Sequence, residues 1–421
     1  MSNEMPANAV GLRSNADFLP LKDLTIIEVG QVLAGPFAGA ILADMGADVI
    51  KVEKYPGGDD TRRMIPPNIA GESAAFMMMN RNKRGIALDL KHPSAKAVLH
   101  RLLADADILI ENYRHDTIEK LGFGYSEIHA RYPRLIYCSL SGFGRTGPYA
   151  DRGGYDLIAQ GMSGLMSITG EGPNAEGVGR PPVKVGAPVT DITAGVLAAM
   201  GVLAALHHRS ATGLGQLVDT SLFEAGIMHT YWQSAICFAT GTPPGPMGSA
   251  HPLNGPYQAF PTADGWINVG AANQRNWERM LAVIVAPHLN TDPRFANNQS
   301  RMANLAALEE ILNGIFRGKK STDWLAALEE AGVPAGPVLT VAQMHADPQA
   351  LARDMIVQTD HPTAGKVKTI GLPVKFSATP GGIRTPAPLF GQHTRDILAA
   401  HGFLADEITT MIGEGAIYAP G

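Results

Sequence analysis

The sequence predicts an α/β protein, with a Rossmann-like doubly wound large domain and a smaller α+β domain. Short β-branched runs alternate with amphipathic segments over the first half of the chain, which is typical of parallel strands joined by crossover helices. A Gly/Pro-rich stretch at 241–255 then precedes a hairpin-like segment and several helices. We expect a disordered lead-in at 1–20, a large domain at 21–225, a small domain at 226–330 and a C-terminal segment at 331–421 that returns to the large domain.

The first predicted unit is a strand, a helix and a second strand. LTIIEVG at 24–30 is a β-branched run typical of a buried parallel strand, and Pro36 suits the first turn of the following helix. DVIKVEK at 48–54 is the next strand. The turn between them lacks the G-x-G-x-x-G pattern of dinucleotide-binding folds, so we expect no nicotinamide cofactor.

Basic residues are concentrated just after this unit. Between Lys51 and Lys91 the chain carries eight lysines and arginines against five acidic residues, although its net charge is −5. A phosphate-bearing ligand would account for this excess, and so would a solvated charged loop. The overall charge favours neither nucleic acid nor an anionic membrane as a partner.

Three more strands are predicted before the middle of the chain. They are IALDLK at 86–91, DILIENY at 107–113 and RLIYCSLSGFG at 134–144, with helices at 92–104 and from about 116. Ligand-binding loops of a parallel sheet follow the carboxyl ends of its strands, which directs attention to Asn112–Arg114 and Gly142–Gly147.

A single acidic residue, Asp191, opens the long apolar helical segment that follows. The unpaired N–H groups and positive dipole end of the first turn would keep its carboxylate ionised, so that it could act as a nucleophile. The alternative is that Asp191 only caps the helix. The apolar segment Ile192–Leu206 is interrupted by glycine and too short for a bilayer, so no transmembrane helix is expected.

The second half of the chain reads as mixed strands and helices. A strand and a helix are expected at 213–229, and a hairpin at 256–271 with its turn at Ala263–Gly265. Helices are expected around Trp277, Leu305 and Trp324, strands and turns from Pro334 to Phe376, and a helical tail from Gly391.

Two cysteines, Cys138 and Cys237, make neither a disulfide framework nor a metal-ligand pair. A reducing compartment and the absence of a metal site are therefore expected. The first twenty residues lack the pattern of a signal peptide, so we expect a cytoplasmic protein.

Six motifs occur in order along the chain: AGPFAGAILADMGADVIKVEK, NRNKRGIALDLK, ADILIENYR, SLSGFGRTGPYADRGGYDLIAQGMSG, PVTDITAG and AGVPAGPV. With these motifs the chain resembles, from Leu21 to about Leu398, the class III CoA-transferases, which include formyl-CoA and carnitine CoA-transferases and the related 2-methylacyl-CoA racemases. It looks most like the succinyl-CoA-dependent members that act on dicarboxylates. The resemblance implies an interlocked homodimer with coenzyme A as a substrate and no permanently bound cofactor.

The resemblance also implies roles for particular residues. Asp191 aligns with the family's catalytic aspartate, and the basic stretch would bind the phosphates of CoA. Contacts with CoA are expected from Val32, Leu33, Ala34, Lys54, Leu88, Asp89, Leu90, Lys91, Asn112, Tyr113, Arg114 and Lys120.

One position separates transfer from racemisation. Where the racemases read Gly-His-Asp, this chain has Tyr155 before Asp156. A phenol with a reference pKa of about 10 accepts protons poorly near neutral pH, which favours transfer. Asp156 could orient the acceptor or the region of Asp191, or hold the local turn.

Substrate contacts are also expected later in the chain. Gly248, Ser249 and Ala250 are candidates for a loop whose N–H groups stabilise an oxyanion. His251 could contact a second substrate carboxylate, or it could be an ordinary loop residue.

The expected reaction moves CoA from an acyl-CoA, succinyl-CoA by resemblance, to a carboxylic acid through an aspartyl anhydride and an aspartyl-CoA thioester. Leu33 stands where formyl-CoA enzymes have a glutamine that contacts substrate, which argues against formate or oxalate as the acid. Two alternatives stay open: a 2-methylacyl-CoA racemase, and a CoA-binding protein without catalysis.

Overall fold

The computed structural model describes residues 19–173 and 177–420. The lead-in expected at 1–20 lies almost wholly outside the described residues. Two compact units divide the chain. The described parts of 1–163, 187–228 and 348–421 form the first unit, and those of 164–186 and 229–347 form the second. Residues 164–186 therefore group with the second unit, although the sequence placed them in the large domain.

A seven-stranded sheet forms the centre of the first unit. In chain order its strands are β1 (Thr25–Glu28), β2 (Asp48–Lys54), β3 (Lys83–Leu88), β4 (Ile108–Glu111), β5 (Ile136–Ser141), β6 (Leu217–Ser221) and β7 (Ile417–Tyr418). Across the sheet they run β7-β3-β2-β1-β4-β5-β6. Every neighbouring pair is parallel except β7 and β3, which are antiparallel. The predicted α/β class is confirmed, whereas β7 was not expected in the tail.

Helices connect these strands and cover the sheet. Four helices are used below: α1 (Ala34–Asp44), α2 (Pro93–Asp105), α3 (Asp156–Met162) and α4 (Val189–Thr212). The remaining helices of the first unit are Asp60–Arg63, Ala74–Met79, Thr117–Lys120, Tyr125–Arg131, Leu222–Met228, Pro348–Ala352, Thr394–Ala400 and Ala405–Gly413, and its short hairpins are Asn68–Ile69 with Glu72–Ser73 and Ile356–His361 with Gly365–Ile370.

Two apolar clusters pack on the two faces of the sheet. In β1, Ile26 joins the cluster that contains α1 and α4, while Ile27 joins the cluster that contains α2. Successive strand residues point to opposite faces, so a strand buried on both sides is apolar throughout. This explains why β1 reads as a continuous β-branched run.

The helix α4 is longer than its apolar segment suggests, because it continues through His207, His208 and Arg209 to Thr212. Among the described residues it alone is long and apolar enough to cross a membrane. In this fold it is a partly buried core helix that packs against α1, β5 and β6. The expectation that this apolar segment is too short for a bilayer is therefore wrong for the whole helix α4.

The second unit contains a three-stranded sheet and helices. Its strands are Tyr257–Pro261, Trp266–Gly270 and Ala335–Pro337, and its helices are Leu165–Ser167, Tyr231–Thr240, Gln274–Val283, Pro287–Asn290, Asn298–Ala303, Leu305–Phe316, Ser321–Glu330 and Val341–His345. The predicted hairpin is confirmed, since Trp266 pairs with Pro261. Helices at 341–345 and 348–352 replace part of the strands expected there; Thr340 and Gln343 cap the first of them reciprocally.

Candidate functional site

An open cavity of about 270 Å³ lies in the first unit at the carboxyl ends of β1, β4 and β5. Ligand sites of parallel sheets occur at this edge. Eight residues singled out from the sequence line it together: Val32, Leu33, Ala34, Asn112, Tyr113, Arg114, Tyr155 and Asp191.

Asp191 is the third residue of α4 and is half-buried. The helix is preceded by Pro188, and the carboxylate of Asp191 makes no hydrogen bond or ion pair with the described residues. The alternative that Asp191 only caps the helix is therefore wrong. Its carboxylate faces the cavity as an unengaged acid.

Asp156 does the capping instead. One of its carboxylate oxygens accepts hydrogen bonds from the backbone N–H of Thr190 at 3.0 Å and from the Thr190 hydroxyl at 2.8 Å. The other accepts from the amide of Gln160 at 2.8 Å. Asp156 thus joins α3 to the first turn of α4, beside Asp191.

Burial, followed by the nearby charge of Asp156, raises the pKa of Asp191 to about 7. The sequence suggested the opposite direction, because it considered only the helix dipole. Near neutral pH this acid therefore exists in both protonation states, which is the range in which enzymes place groups that change charge.

The loop before α1 forms a wall of the cavity. Asn112 holds it by two hydrogen bonds to Gln31: its side-chain oxygen accepts from the backbone N–H at 2.7 Å and its amide donates to the carbonyl at 2.8 Å. Val32 follows with φ of 66°, in the left-handed region that disfavours β-branched residues. A loop that keeps this strained residue must be held firmly from outside.

Two close approaches of backbone shape the site. A Cβ on Gly195, one turn after Asp191, would lie 2.9 Å from the carbonyl oxygen of Ala34, so this glycine lets α4 pack against the start of α1. A Cβ on Gly154 would lie 2.4 Å from the Cα of Gly142. These glycines therefore bring Asp191 and Tyr155 to the cavity.

A second cavity, of about 150 Å³, adjoins the first and shares Gln31 and Tyr113 with it. Besides Tyr113, its lining includes four more of the predicted CoA contacts: Lys54, Leu88, Leu90 and Lys91. Apolar side chains with lysines at the edge suit an adenine ring and phosphates. The two other predicted contacts, Asp89 and Lys120, line neither cavity; Lys120 is exposed and lies 3.8 Å from Asp116.

Most of the basic excess between Lys51 and Lys91 is used inside the protein. Seven of its cations pair with carboxylates: Lys51 with Glu28 and Asp59, Lys54 and Arg63 with Asp60, Arg62 with Glu53, Arg81 with Asp44, Lys83 with Glu28, and Arg84 with Asp48. Three of these acids lie before Lys51. A count of charges between Lys51 and Lys91 alone therefore overstated the number of cations that are free to bind a ligand. The ammonium group of Lys91 has no carboxylate partner among the described residues, although its backbone N–H donates to Asp89 at 3.0 Å.

The predicted loop at 248–251 lies in the second unit. The N–H of Gly248 donates to the carbonyl of Gly170 at 2.7 Å, and that of Ala250 to Met247 at 3.1 Å. Neither N–H is therefore available to an oxyanion in this structure.

The other two residues of this loop are also engaged locally. Ser249 accepts a hydrogen bond from the N–H of Ala259 at 3.0 Å. The ring of His251 accepts from Leu253 at 3.1 Å and lies edge-on to Trp232 and Tyr257. These contacts fit the reading of His251 as a loop residue, and a substrate role for either stays a prediction.

The sequence missed several residues that line the first cavity. Among them are Gln31, which directly precedes the predicted Val32 loop, and Arg152, which lies over the ring of Tyr149 at 4.1 Å. The motif that carries the resemblance contains Arg152, so its charge could have been noticed. No group of three or more metal-ligating side chains occurs within 19–173 and 177–420.

Known proteins are similar to this chain in both sequence and fold. The model of "CoA-transferase family III" matches residues 21–394. A succinate–glutarate CoA-transferase of Agrobacterium fabrum is 40% identical over 90% of this chain and 95% of its own length. A succinyl-CoA–D-citramalate CoA-transferase of Chloroflexus aurantiacus is 37% identical, over 90% and 93%. An acetyl-CoA:oxalate CoA-transferase of Acetobacter aceti is 39% identical, over 85% and 89%. The crystal structure of a CAIB/BAIF family protein from Brucella suis, 38% identical, superposes with a TM-score of 0.81 over 91% of this chain and 100% of that one.

Proposed function

The chain belongs to CoA-transferase family III and is an enzyme of acyl-CoA metabolism, and from this premise we propose that it moves CoA from succinyl-CoA to a dicarboxylic acid by covalent catalysis at Asp191. The observation that carries the proposal is the carboxylate of Asp191, half-buried and unengaged in a cavity that adjoins a second one suited to CoA.

In the first half-reaction the ionised Asp191 attacks the thioester carbonyl of succinyl-CoA. The C–S bond breaks, CoA leaves as a thiolate, and a mixed anhydride remains. The thiolate then attacks the Asp191 carbonyl of the anhydride and forms an aspartyl-CoA thioester. Succinate leaves, and it carries away the bridging oxygen atom that Asp191 had contributed. Splitting one difficult exchange into two acyl transfers is the advantage of covalent catalysis.

In the second half-reaction the acceptor carboxylate attacks the aspartyl-CoA thioester and expels the CoA thiolate. A second anhydride forms, and the thiolate attacks its acceptor carbonyl. The products are the new acyl-CoA and the free carboxylate of Asp191, which now contains one oxygen atom from the acceptor. The pKa of Asp191, raised to about 7, leaves part of the residue ionised near neutral pH, and this carboxylate is more basic than that of an ordinary aspartate.

The second carboxylate of the acids requires a cation. Arg152 and Arg114 both line the cavity, and neither has a carboxylate partner among the described residues. Arg114 lies beside Gly153, since a Cβ there would be 3.4 Å from the guanidinium carbon. We assign Arg152 to the distal carboxylate, because a guanidinium binds carboxylates through paired hydrogen bonds. The relatives at 37–40% identity act on different acids, oxalate among them, so the acid itself is open despite Leu33.

The test is incubation with succinyl-CoA and a panel of mono- and dicarboxylic acids, with new acyl-CoA species followed by mass. A new thioester that requires one dicarboxylate and is absent with Asp191→Asn supports the proposal. If no acid yields a thioester while deuterium enters the α-carbon of a 2-methylacyl-CoA, the racemase alternative replaces it. Tight CoA binding without either reaction would favour a non-catalytic protein.

Arg152 is tested on the accepted acid. Arg152→Gln is expected to raise the KM for the dicarboxylate by about tenfold or more, the effect of losing a charge-assisted hydrogen bond, with little change for the matching monocarboxylate. The control is Arg131→Gln, because Arg131 also lies over a tyrosine ring, that of Tyr132, but lines no part of this cavity. An equal loss for both acids would contradict the assignment.

A further inference from the structure

Beneath the cavity wall lies a cluster of buried charges that the proposed reaction does not use. Lys51 is fully buried, and its ammonium group meets three acceptors: Glu28 at 3.0 Å, Asp59 at 2.9 Å and the carbonyl of Gly30 at 2.9 Å. Its hydrogen bonds go to Glu28 and to the carbonyl of Gly30, and Asp59 adds an ion pair. The bond to Gly30 holds the residue that directly precedes the cavity-lining Gln31.

Lys83 repeats the arrangement one strand away. It is also buried and also meets three acceptors: Glu28 at 2.7 Å, the carbonyl of Pro36 at 2.8 Å and Asn80 at 3.0 Å. Glu28 therefore lies between the two lysines. Gly39 in α1 provides its space, since a Cβ there would lie 2.0 Å from the carboxylate.

Asp59 connects this cluster to the strained residue of the wall. One of its oxygens accepts from the backbone N–H of Val32 at 3.3 Å, and from the N–H and hydroxyl of Thr61 at 2.9 and 2.7 Å. The other oxygen faces Lys51. These bonds and the charge of Lys51 hold the pKa of Asp59 well below its usual range, although burial acts in the opposite direction. The carboxylate is therefore charged at any pH at which the enzyme would work.

Buried ion pairs are poor sources of stability, because the desolvation of the charges offsets their attraction, and apolar replacements are often neutral or stabilising. What this cluster does instead is fix the backbone of one segment of the chain. Its hydrogen bonds end on Gly30, Val32 and Pro36, all in the segment whose residues 31–34 line the same cavity as Asp191.

We propose that Lys51, Lys83 and Asp59 are positioning residues, which hold the segment 30–36 in the shape that the acyl transfer at Asp191 requires. This inference rests on the proposed function for its kinetic consequence. The structural part of the inference is that the cluster fixes the segment 30–36, and this part does not depend on which reaction the enzyme catalyses.

The experiment compares Asp59→Asn with a matched control, Asp44→Asn. Asp44 is an equally buried carboxylate, paired with Arg81 at 2.7 Å, but it ends α1 away from the cavity. Both substitutions keep the side-chain shape and remove one buried charge, so both are expected to lower the unfolding temperature. Only Asp59→Asn is expected to lower kcat, by about tenfold or more, with the dissociation constant of CoA changed less than about threefold.

Hydrogen exchange of the folded enzymes supplies a readout that does not depend on activity. The backbone amides of 30–36 are expected to exchange faster in Asp59→Asn and at the wild-type rate in Asp44→Asn. Unchanged exchange and unchanged kcat in Asp59→Asn would overturn the inference. If the wild type transfers CoA to no acid, the proposed function fails, but hydrogen exchange still tests whether the cluster fixes the segment 30–36. Failure of the proposed function and failure of this inference are therefore distinguishable.

A milder variant covers the case in which Asp59→Asn does not fold. Thr61→Val removes the hydroxyl donor to Asp59 at nearly constant volume and leaves all the charges in place. Faster exchange of 30–36 with a several-fold lower kcat is expected, and wild-type values for both would refute the role of the cluster.

Discussion

The environment of one carboxylate decides what this site can do. Asp191 has neither a cation nor a hydrogen-bond donor among the described residues, and its neighbour Asp156 is itself negative. Burial and that charge raise the pKa of Asp191 to about 7. An acid with this pKa is nucleophilic when ionised. Because its carboxylate has no hydrogen bond or ion pair with the described residues, no such interaction has to be broken before it attacks. The same unengaged state made the residue hard to judge from the sequence, where Asp at a helix start suggests a cap.

The pH dependence of kcat/KM reports this pKa in the free enzyme. Because the ionised form attacks, we expect kcat/KM to fall as the pH decreases below about 7. Asp156→Asn keeps the acceptor for Thr190 but removes the negative charge, so the acid limb should move to lower pH. Initial rates at subsaturating succinyl-CoA give kcat/KM at each pH. Measurements from about pH 5 to about pH 9 cover the titration of a group with a pKa of about 7.

The control for this profile is Asp105→Asn, which removes an exposed carboxylate paired only weakly with Arg101, at 3.6 Å. Its profile should coincide with that of the wild type. An acid limb that stays in place in Asp156→Asn would mean that another group controls the rate.

At the scale of elements, packing of backbone against backbone builds the site. The sequence indicated a ligand loop at Gly142–Gly147, and the strand β5 that precedes it is found where expected, whereas the helix α3 was not predicted. The sequence could not show that Gly142 and Gly154 contact each other, because they are twelve positions apart along the chain. Likewise, the pairing of Lys51 and Lys83 with Glu28 depends on strand order, which local patterns do not specify.

The contact between the two glycines leads to a prediction about Gly154→Ala. The new methyl group would lie 2.4 Å from the Cα of Gly142, and a backbone atom cannot move aside as a side chain can. We expect a loss of about 1–3 kcal/mol in the free energy of unfolding and a fall in kcat of about tenfold or more. Denaturant unfolding and steady-state kinetics measure the two effects.

Gly314→Ala is the matched control, since Gly314 lies inside the helix Leu305–Phe316 with nothing within 4 Å of its virtual Cβ. A gain of about 0.5–1 kcal/mol with unchanged kcat is expected there, because alanine favours a helix. Equal behaviour of the two variants would show that the close approach of Gly142 and Gly154 does not matter.

At the scale of the whole molecule, membership in the family accounts for the fold and the reaction class, while the assembly remains a proposal. The resemblance implied an interlocked homodimer. Large apolar side chains are exposed on α4, where Met200 is 60% accessible, and on the helix Tyr231–Thr240, where Phe238 is 87% accessible. Soluble monomers seldom leave such side chains clustered in water, so we expect each of these helices to be covered by a second copy.

The mass in solution tests the assembly. Light scattering after gel filtration should give twice the chain mass of 44.6 kDa over the concentration range used for kinetics. Met200→Lys is expected to weaken the assembly, because it places a charge on the apolar face of α4. A wild-type mass equal to one chain would contradict the proposal.

The covalent role of Asp191 is tested most directly by the fate of one oxygen atom. In the proposed reaction each turnover replaces one carboxylate oxygen of Asp191 with one from the acceptor. After many turnovers with an acceptor acid labelled with oxygen-18, the peptide that contains Asp191 should carry the label in its carboxylate, and enzyme given labelled acid without succinyl-CoA should not. Efficient CoA transfer with no label in that peptide would contradict the account, because it would mean that Asp191 is never acylated.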